Sequence, residues 1–300
     1  LIAMAGLSFQ SCEKLSSINE NPNEPSNVDA GVLFTEGVRS SVNTSVTQSY
    51  LLGNVASQLA AKTLRAEVGE YSWNAFPNTW NQNYASLGNI IEAERVAAAA
   101  GNSKMEGAAK VMKSWVFSTL TLAYGDIPYS EAITGSTDAN WFPAYDTQEE
   151  IITGANGLLE ELALAVQLLD NGGSVDGDIL FNGDAAKWRQ FGNTMKMVMA
   201  MRMADVNPSG AEAAFKSAIA GGVIGSNADN IHYPYTTADA NDSPWQDRFQ
   251  SREDFASSDV MVDHLFANSD PRLAKYAAPV VSATGDTSKI DYVQYGGSTY

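Results

Sequence analysis

Residues 147–169 read Thr147-Gln-Glu-Glu-Ile-Ile-Thr-Gly-Ala-Asn-Gly-Leu-Leu-Glu-Glu-Leu-Ala-Leu-Ala-Val-Gln-Leu-Leu169. Thr147 followed three residues later by Glu150 has the form of a capping box, in which each residue satisfies the other's backbone N–H. Ile151, Ala155, Leu158, Leu159, Leu162, Val166 and Leu169 then recur at three- and four-residue spacing, the apolar stripe of an amphipathic helix. Asn171-Gly172-Gly173 supplies a stop. One helix over 148–169 is therefore predicted, and its neighbours repeat the pattern.

Upstream, Met105, Ala108, Ala109, Met112, Trp115, Val116 and Leu120 define a helix over 103–124. Before it, 78–100 carries Trp80, Tyr84, Leu87, Ile90 and Ile91 and stops at Gly101, and a further helical pattern spans 31–62. Downstream, a helix over 185–204 begins after Asp184 as N-cap, with Trp188, Phe191, Met195, Val198 and Arg202 along one face. Its methionines at 195, 197, 199, 201 and 203 wrap around the axis, so burial on most sides is expected rather than a cofactor box. Trp115 and Trp188 read as core. Pro208 ends that region, and a short helix over 210–221 closes at Gly221-Gly222. Beyond 222 loops dominate, with aromatics among Asn, Asp and Pro in 230–235 and 241–247. Brief helices follow at 258–267 and after Asp270-Pro271, and strand signals are few, 292–295 among them. Helix pairs of this length suit a helical-repeat architecture, although no clean 34-residue self-similarity is present.

Three hundred residues suffice for one large domain or two, and a hydrophobic content of 44% is ordinary for a globular chain. The net charge of -17 is not ordinary. It argues against a phosphate-backbone partner and against adhesion to anionic lipid by charge, and it suits a neutral or cationic ligand. After position 11 no apolar run approaches the roughly 18 to 20 residues of a membrane span.

Cys12 is the only cysteine, so no disulfide framework exists. It ends an uncharged, apolar opening, Leu1 to Ser11, that resembles the back half of a bacterial lipoprotein signal with Cys12 as the first mature residue. Acylation there would anchor the chain, at about 0.8 kcal/mol per buried CH2. Phe9 and Gln10 are larger than the residues usual before such a cut. Residues 1–11 thus read as a signal remnant, the polar, Asn- and Pro-rich 12–30 as a tether, and 31–300 as a helical binding domain. No initiating Met or basic n-region precedes Leu1, and Gly296 to Tyr300 forms no recognisable terminus, so the chain reads as a fragment of a longer protein.

Several stretches together resemble the SusD/RagB family of nutrient-binding outer-membrane lipoproteins. They are the Cys12 start with Asn21-Pro22-Asn23, Ala123-Tyr-Gly-Asp-Ile-Pro-Tyr-Ser-Glu-Ala132, and Pro143-Ala-Tyr-Asp-Thr-Gln-Glu-Glu-Ile151. Asp178-Ile-Leu-Phe-Asn-Gly-Asp184 with Trp188, Phe191, Asn193 and Arg202, and Ser269-Asp-Pro-Arg-Leu273, complete the set in the family's order. Members are usually much longer. The resemblance implies a mainly α fold with tetratricopeptide-like helix pairs as scaffold and long loops as a ligand face. It also implies lipidation, display at the cell surface, a glycan or other nutrient as ligand, and a SusC-like TonB-dependent barrel transporter as partner.

A sugar offers apolar C–H faces and a rim of hydroxyls, which aromatic rings and Asn, Asp, Gln or Arg side chains satisfy. The segment from Arg65 to Trp80 has that mixture between helices, and in similar proteins residues from about this part of the chain contact ligand. Arg65, Tyr71, Trp73, Asn74 and Phe76 are the candidates, with Trp80 better read as an anchor of the next helix. A second candidate group is Tyr233, Tyr235, Trp245, Gln246 and Arg248, with Trp245 the ligand-binding candidate, although loop anchoring is the stronger reading of the group. Enzyme signatures are poor. His232 and His264 lack ligand spacing, no nucleophile elbow or phosphate loop is present, and Asp170 to Phe181 departs from a calcium loop and reads as a turn. No cofactor or metal is expected. The alternatives are a protein-binding helical scaffold, or an enzyme with two carboxyls roughly 5 to 9.5 Å apart across a cleft.

Overall fold

A computed structural model describes residues 28–63, 77–238, 240–251 and 254–277. The scaffold is a stack of helices in chain order. Helix α1 (Ala30–Gln48) runs through a π-helical turn at Ser49–Gly53 into the short α2 (Asn54–Ala56). Then come α3 (Pro77–Ala99) and α4 (Ser103–Tyr124), joined by Ala100 to Asn102 as a hairpin. Four-residue α5 (Gly135–Asp138) leads to α6 (Gln148–Thr153) and α7 (Leu158–Leu168). Helices α8 (Ala185–Arg202) and α9 (Pro208–Gly221) follow. Each long helix packs on the next, α1 on α3, α3 on α4, α4 on α7, α7 on α8 and α8 on α9. The short connections 100–102 and 203–207 make α3–α4 and α8–α9 antiparallel hairpins, the unit of stacked helix pairs.

The helix starts follow the sequence rules. Asn102 accepts from Met105 N, Asp184 from Ala186 N and Lys187 N, and Thr147 with Glu150 makes the full capping box. Asp178 builds the turn before α8. Its carboxylate accepts from Leu180, Phe181 and Gly183 N–H groups and from Trp188 Nε1. This lets Trp188 lie fully buried against Phe34 and Phe181 with its one donor satisfied.

Four expectations change. The predicted helix 148–169 is two helices, because the chain breaks at Gly154 to Gly157. Asn156 there takes a left-handed φ of 60°, and Tyr129 donates from its hydroxyl to Asn156 O. Ala155 is exposed as a result, while Ile151, Leu158, Leu162 and Ala165 are buried. The stretch Gln148–Leu168 does pass a length-and-composition test for a membrane span, but its break and its core-facing residues mark it as scaffold. Helix α8 is not buried on most sides. Trp188, Phe191, Met195 and Met199 face inward, and Val198, Met201 and Arg202 face solvent. The helix expected to 62 ends at Ala56, and Ala60–Lys62 (β1) pairs antiparallel with Phe255–Ser257 (β2), a strand pair the sequence did not announce. The helix expected at Pro271 begins at Leu273, since Asp270 is tied to Arg272 N and its guanidinium. The strand signal at 292–295 lies outside the described residues.

The main core runs through α1, α3, α4, α7 and α8. Across it lies a half-hidden charge network, in which Lys110 and Lys113 each bridge Glu94 and Glu161 at 2.6 to 3.3 Å. Burial opposes ionisation of Glu94, yet the two ammoniums outweigh it and hold that carboxyl below its usual range. Burial likewise opposes the Lys110 charge, and its carboxylate partners hold its pKa above the usual value.

Candidate ligand-binding face

A second, smaller cluster sits at one end of α1. The π turn brings Tyr50 onto Trp245 and Phe255, with ring centroids 5.2 and 5.8 Å away. Trp245 and Phe249 come from α10 (Pro244–Ser251), and Phe255 opens β2. Lys62 lies 4.2 Å over the Phe255 ring and Arg248 5.8 Å from the Tyr50 ring, both cation–π arrangements. Arg248 also approaches Asp254 at 4.0 Å. A π turn widens the helix and re-aims a side chain, and such turns are frequent at functional sites.

Beside this cluster, Tyr233 and Tyr235 pack with centroids 4.6 Å apart. Tyr235 donates to Asn43 Oδ1 on α1, which ties the late loop to the scaffold, and Tyr233 donates to Asn241. Burial pushes the Tyr235 hydroxyl up to about 12 and raises Tyr233 as well, so both stay neutral donors.

Of the residues predicted to bind, Arg65, Tyr71, Trp73, Asn74 and Phe76 lie outside the described residues, as does Cys12. Their surroundings are described on either side. The chain enters 64–76 from Thr63, whose N–H is held by Asp254 O, and leaves at Pro77, the first residue of α3. Trp245 is half-buried and serves as a packing anchor in the aromatic cluster, with Gln246 exposed next to it. Trp80 anchors α3 as read, packing on Tyr84, Tyr124 and Tyr145. Sequence reasoning did not place Tyr50, Phe255 and Lys62 in the packed cluster that flanks the candidate segment. A three-residue strand has no readable alternation, and a π turn leaves no spacing signal.

A cleft of about 730 Å³ lies elsewhere, between α3, α4 and the loop after α4, lined by Ile91, Arg95, Lys113, Phe117, Tyr129 and Ile133 among others. Its charged floor is the lysine–glutamate network, whose members are paired with one another. Among the described residues no group of three or more His, Cys, Asp or Glu is placed to hold a metal ion.

Stacked helix pairs, with loop-borne aromatic residues packed at one end of α1, define a class of helical scaffold. The chain belongs to the SusD-like family, whose family model, described as starch-binding associating with outer membrane, matches residues 22–299. Among solved structures it is similar to a chitin-binding protein, at 30% identity and a TM-score of 0.69, over 83% of this chain and 54% of that one. A SusD homologue from Bacteroides fragilis matches at 22% identity and a TM-score of 0.70, over 90% of this chain and 57% of that one. A chitin-binding SusD homologue from Flavobacterium johnsoniae matches at 23% and 0.67, over 82% and 52%. The chain thus spans about half the length of these solved relatives. No curated protein sequence matches it.

Proposed function

We propose that this chain captures a glycan and delivers it, without catalysis, to a TonB-dependent barrel transporter of the SusC type in the outer membrane. Acylated Cys12 is its anchor, and the cell surface its place. The observation that carries the reading is the packed Tyr50–Trp245–Phe255 cluster, in which Tyr50 and Phe255 are buried, because it fixes Lys62 and Thr63, from which the chain departs into Arg65, Tyr71, Trp73, Asn74 and Phe76. Ring faces and donors such as those of Tyr71, Trp73 and Arg65 complement sugar C–H faces and hydroxyls. The family description and the chitin-binding relatives support the ligand class.

The test is titration calorimetry of the full-length protein with chitohexaose and maltoheptaose. Trp73→Ala and Tyr71→Ala are expected to weaken binding at least about tenfold, as loss of a central aromatic contact does. Trp245→Ala is expected to weaken it less than Trp73→Ala and to lower stability, since its ring is part of the packing. If neither sugar, nor any member of a wider panel of soluble glycans, binds the wild-type protein, the glycan reading falls.

A further inference from the structure

The loop between α4 and α6 holds three aromatic side chains in water. Trp141 is 72% exposed, Phe142 91% and Tyr145 65%. Large apolar side chains concentrated in so short a segment mark an interaction surface rather than ordinary surface scatter.

The loop is also tightly held. Asp146 accepts from Tyr129 N, Ser130 N and Ser130 Oγ at 2.7 to 2.9 Å, and Ile127 and Asp146 form a β-bridge. The Asp146 carboxyl stays below its usual range because these hydrogen bonds outweigh its partial burial. Glu131 accepts from Asn140 Nδ2 and Ala144 N, and Asn140 Oδ1 accepts from Phe142 N. Two non-glycine residues take left-handed φ values, 61° at Ile133 and 53° at Ala139, the former β-branched and therefore strained. A segment ordered this way presents its rings without a large entropy cost on association.

Charge decides the occupant. No Lys or Arg stands between Lys113 and Lys187, while Asp126, Glu131, Asp138, Glu149 and Glu150 are exposed on and beside the loop. The nearby cations Arg95 and Lys113, in the cleft beside Tyr129 and Ile133, are each paired with glutamates, so the rim keeps a net negative charge that repels an anionic lipid surface and a second copy of itself. A neutral sugar could donate hydroxyls to these carboxylates but gains no Coulomb attraction from their net charge. An apolar pocket ringed by cations complements both the rings and the rim.

We propose that the Trp141–Tyr145 loop docks into an apolar pocket on a protein partner whose rim carries Lys and Arg. This rests on the transporter reading above, and the partner is that barrel protein. Phe142 is the anchor that enters the pocket, as a fully desolvated aromatic hot spot.

The experiment uses the full-length protein in its own outer membrane. Phe142 is replaced by photoreactive benzoylphenylalanine, and Val206, equally apolar and exposed between α8 and α9, serves as the control position. Crosslinking to the barrel transporter from 142 and not from 206 is the expected result. Trp141→Ser/Phe142→Ser is expected to cut co-purification with the transporter at least about tenfold, to leave glycan affinity within about twofold, and to keep the wild-type circular dichroism spectrum. Wild-type co-purification is expected to weaken as salt rises from about 50 to 500 mM, since exposed charges are screened. If the wild-type protein co-purifies with the transporter but position 142 crosslinks only to lipid, to a second copy or to nothing, the docking proposal is overturned and the transporter reading stands. If the wild-type protein does not co-purify at all, both fall.

Discussion

Glu94 shows how one side chain joins packing to pH. It is held below its ordinary value of 4.5 even though burial works the other way, because Lys113 and Lys110 both lie within 2.8 Å of its oxygens. A carboxylate with a depressed folded pKa stabilises the fold above the unfolded value, and that contribution disappears as pH falls through the folded one. Lys110 is raised above 10.5, so its contribution is full below that value and is lost as pH climbs through the folded pKa. The urea midpoint is therefore expected to be level from about pH 6 to 9, to drop below about 4.5, and to drop again in strong alkali. Glu94→Gln strands two half-buried ammoniums on Glu161 alone, and is expected to cost about 3 kcal/mol at pH 7 while flattening the acid limb. A Glu94→Gln protein with an unchanged acid limb would show that other carboxylates set it. Asp178 plays the complementary role of a local organiser, since one carboxylate serves three backbone donors and an indole. It was legible as part of a family-like run, but its duty to Trp188 became visible only in space.

At the scale of elements, the break between α6 and α7 carries the most information. The apolar spacing through 148–169 is good enough for one helix, and the capping box that opens it forms as written. Two glycines and an asparagine nevertheless lie in the middle, and the tertiary contacts exploit them. A Cβ on Gly157 would lie 2.8 to 3.0 Å from the carbonyl oxygens of Gly154, Ile151 and Glu150, all backbone atoms that cannot step aside. Gly157→Ala is accordingly expected to destabilise by about 1 to 3 kcal/mol, read as a lower thermal midpoint with unchanged helix content. A neutral outcome would mean that the break relaxes freely. The neighbouring α4–α7 crossing has the same logic, since a Cβ on Gly107 would meet Leu169 Cγ at 2.7 Å. Periodicity located α3, α4, α8 and α9 to within about two residues, because each buries one face in a regular helix. It failed at Ala56 and Gly154, where a π turn and a glycine break shift the phase of the pattern.

Taken whole, the described residues form one large core and two small satellites. Tyr50, Val55 and Phe255 form their own cluster, apart from the core that runs through the helix stack. Few buried apolar groups and a two-stranded ladder of three residues per strand hold that face. Native-state hydrogen exchange is expected to show amides of 60–62 and 255–257 opening at a lower free energy than those of α4 and α8. Equal protection throughout would mean that the satellite cluster and the helix stack unfold as one. The sequence by itself determined the mainly α class, most helix positions and caps, the burial of Trp188, the acidic character and the family likeness. These follow from patterns local in the chain, where spacing and capping chemistry act over one or two turns. Only the tertiary structure decided that Tyr50 and Phe255 meet Trp245, that β1 pairs with β2 some 190 residues later, and that Phe142 stands in solvent. Those outcomes depend on which distant segments pack together, and contacts between distant segments leave no periodic trace in the residues that make them.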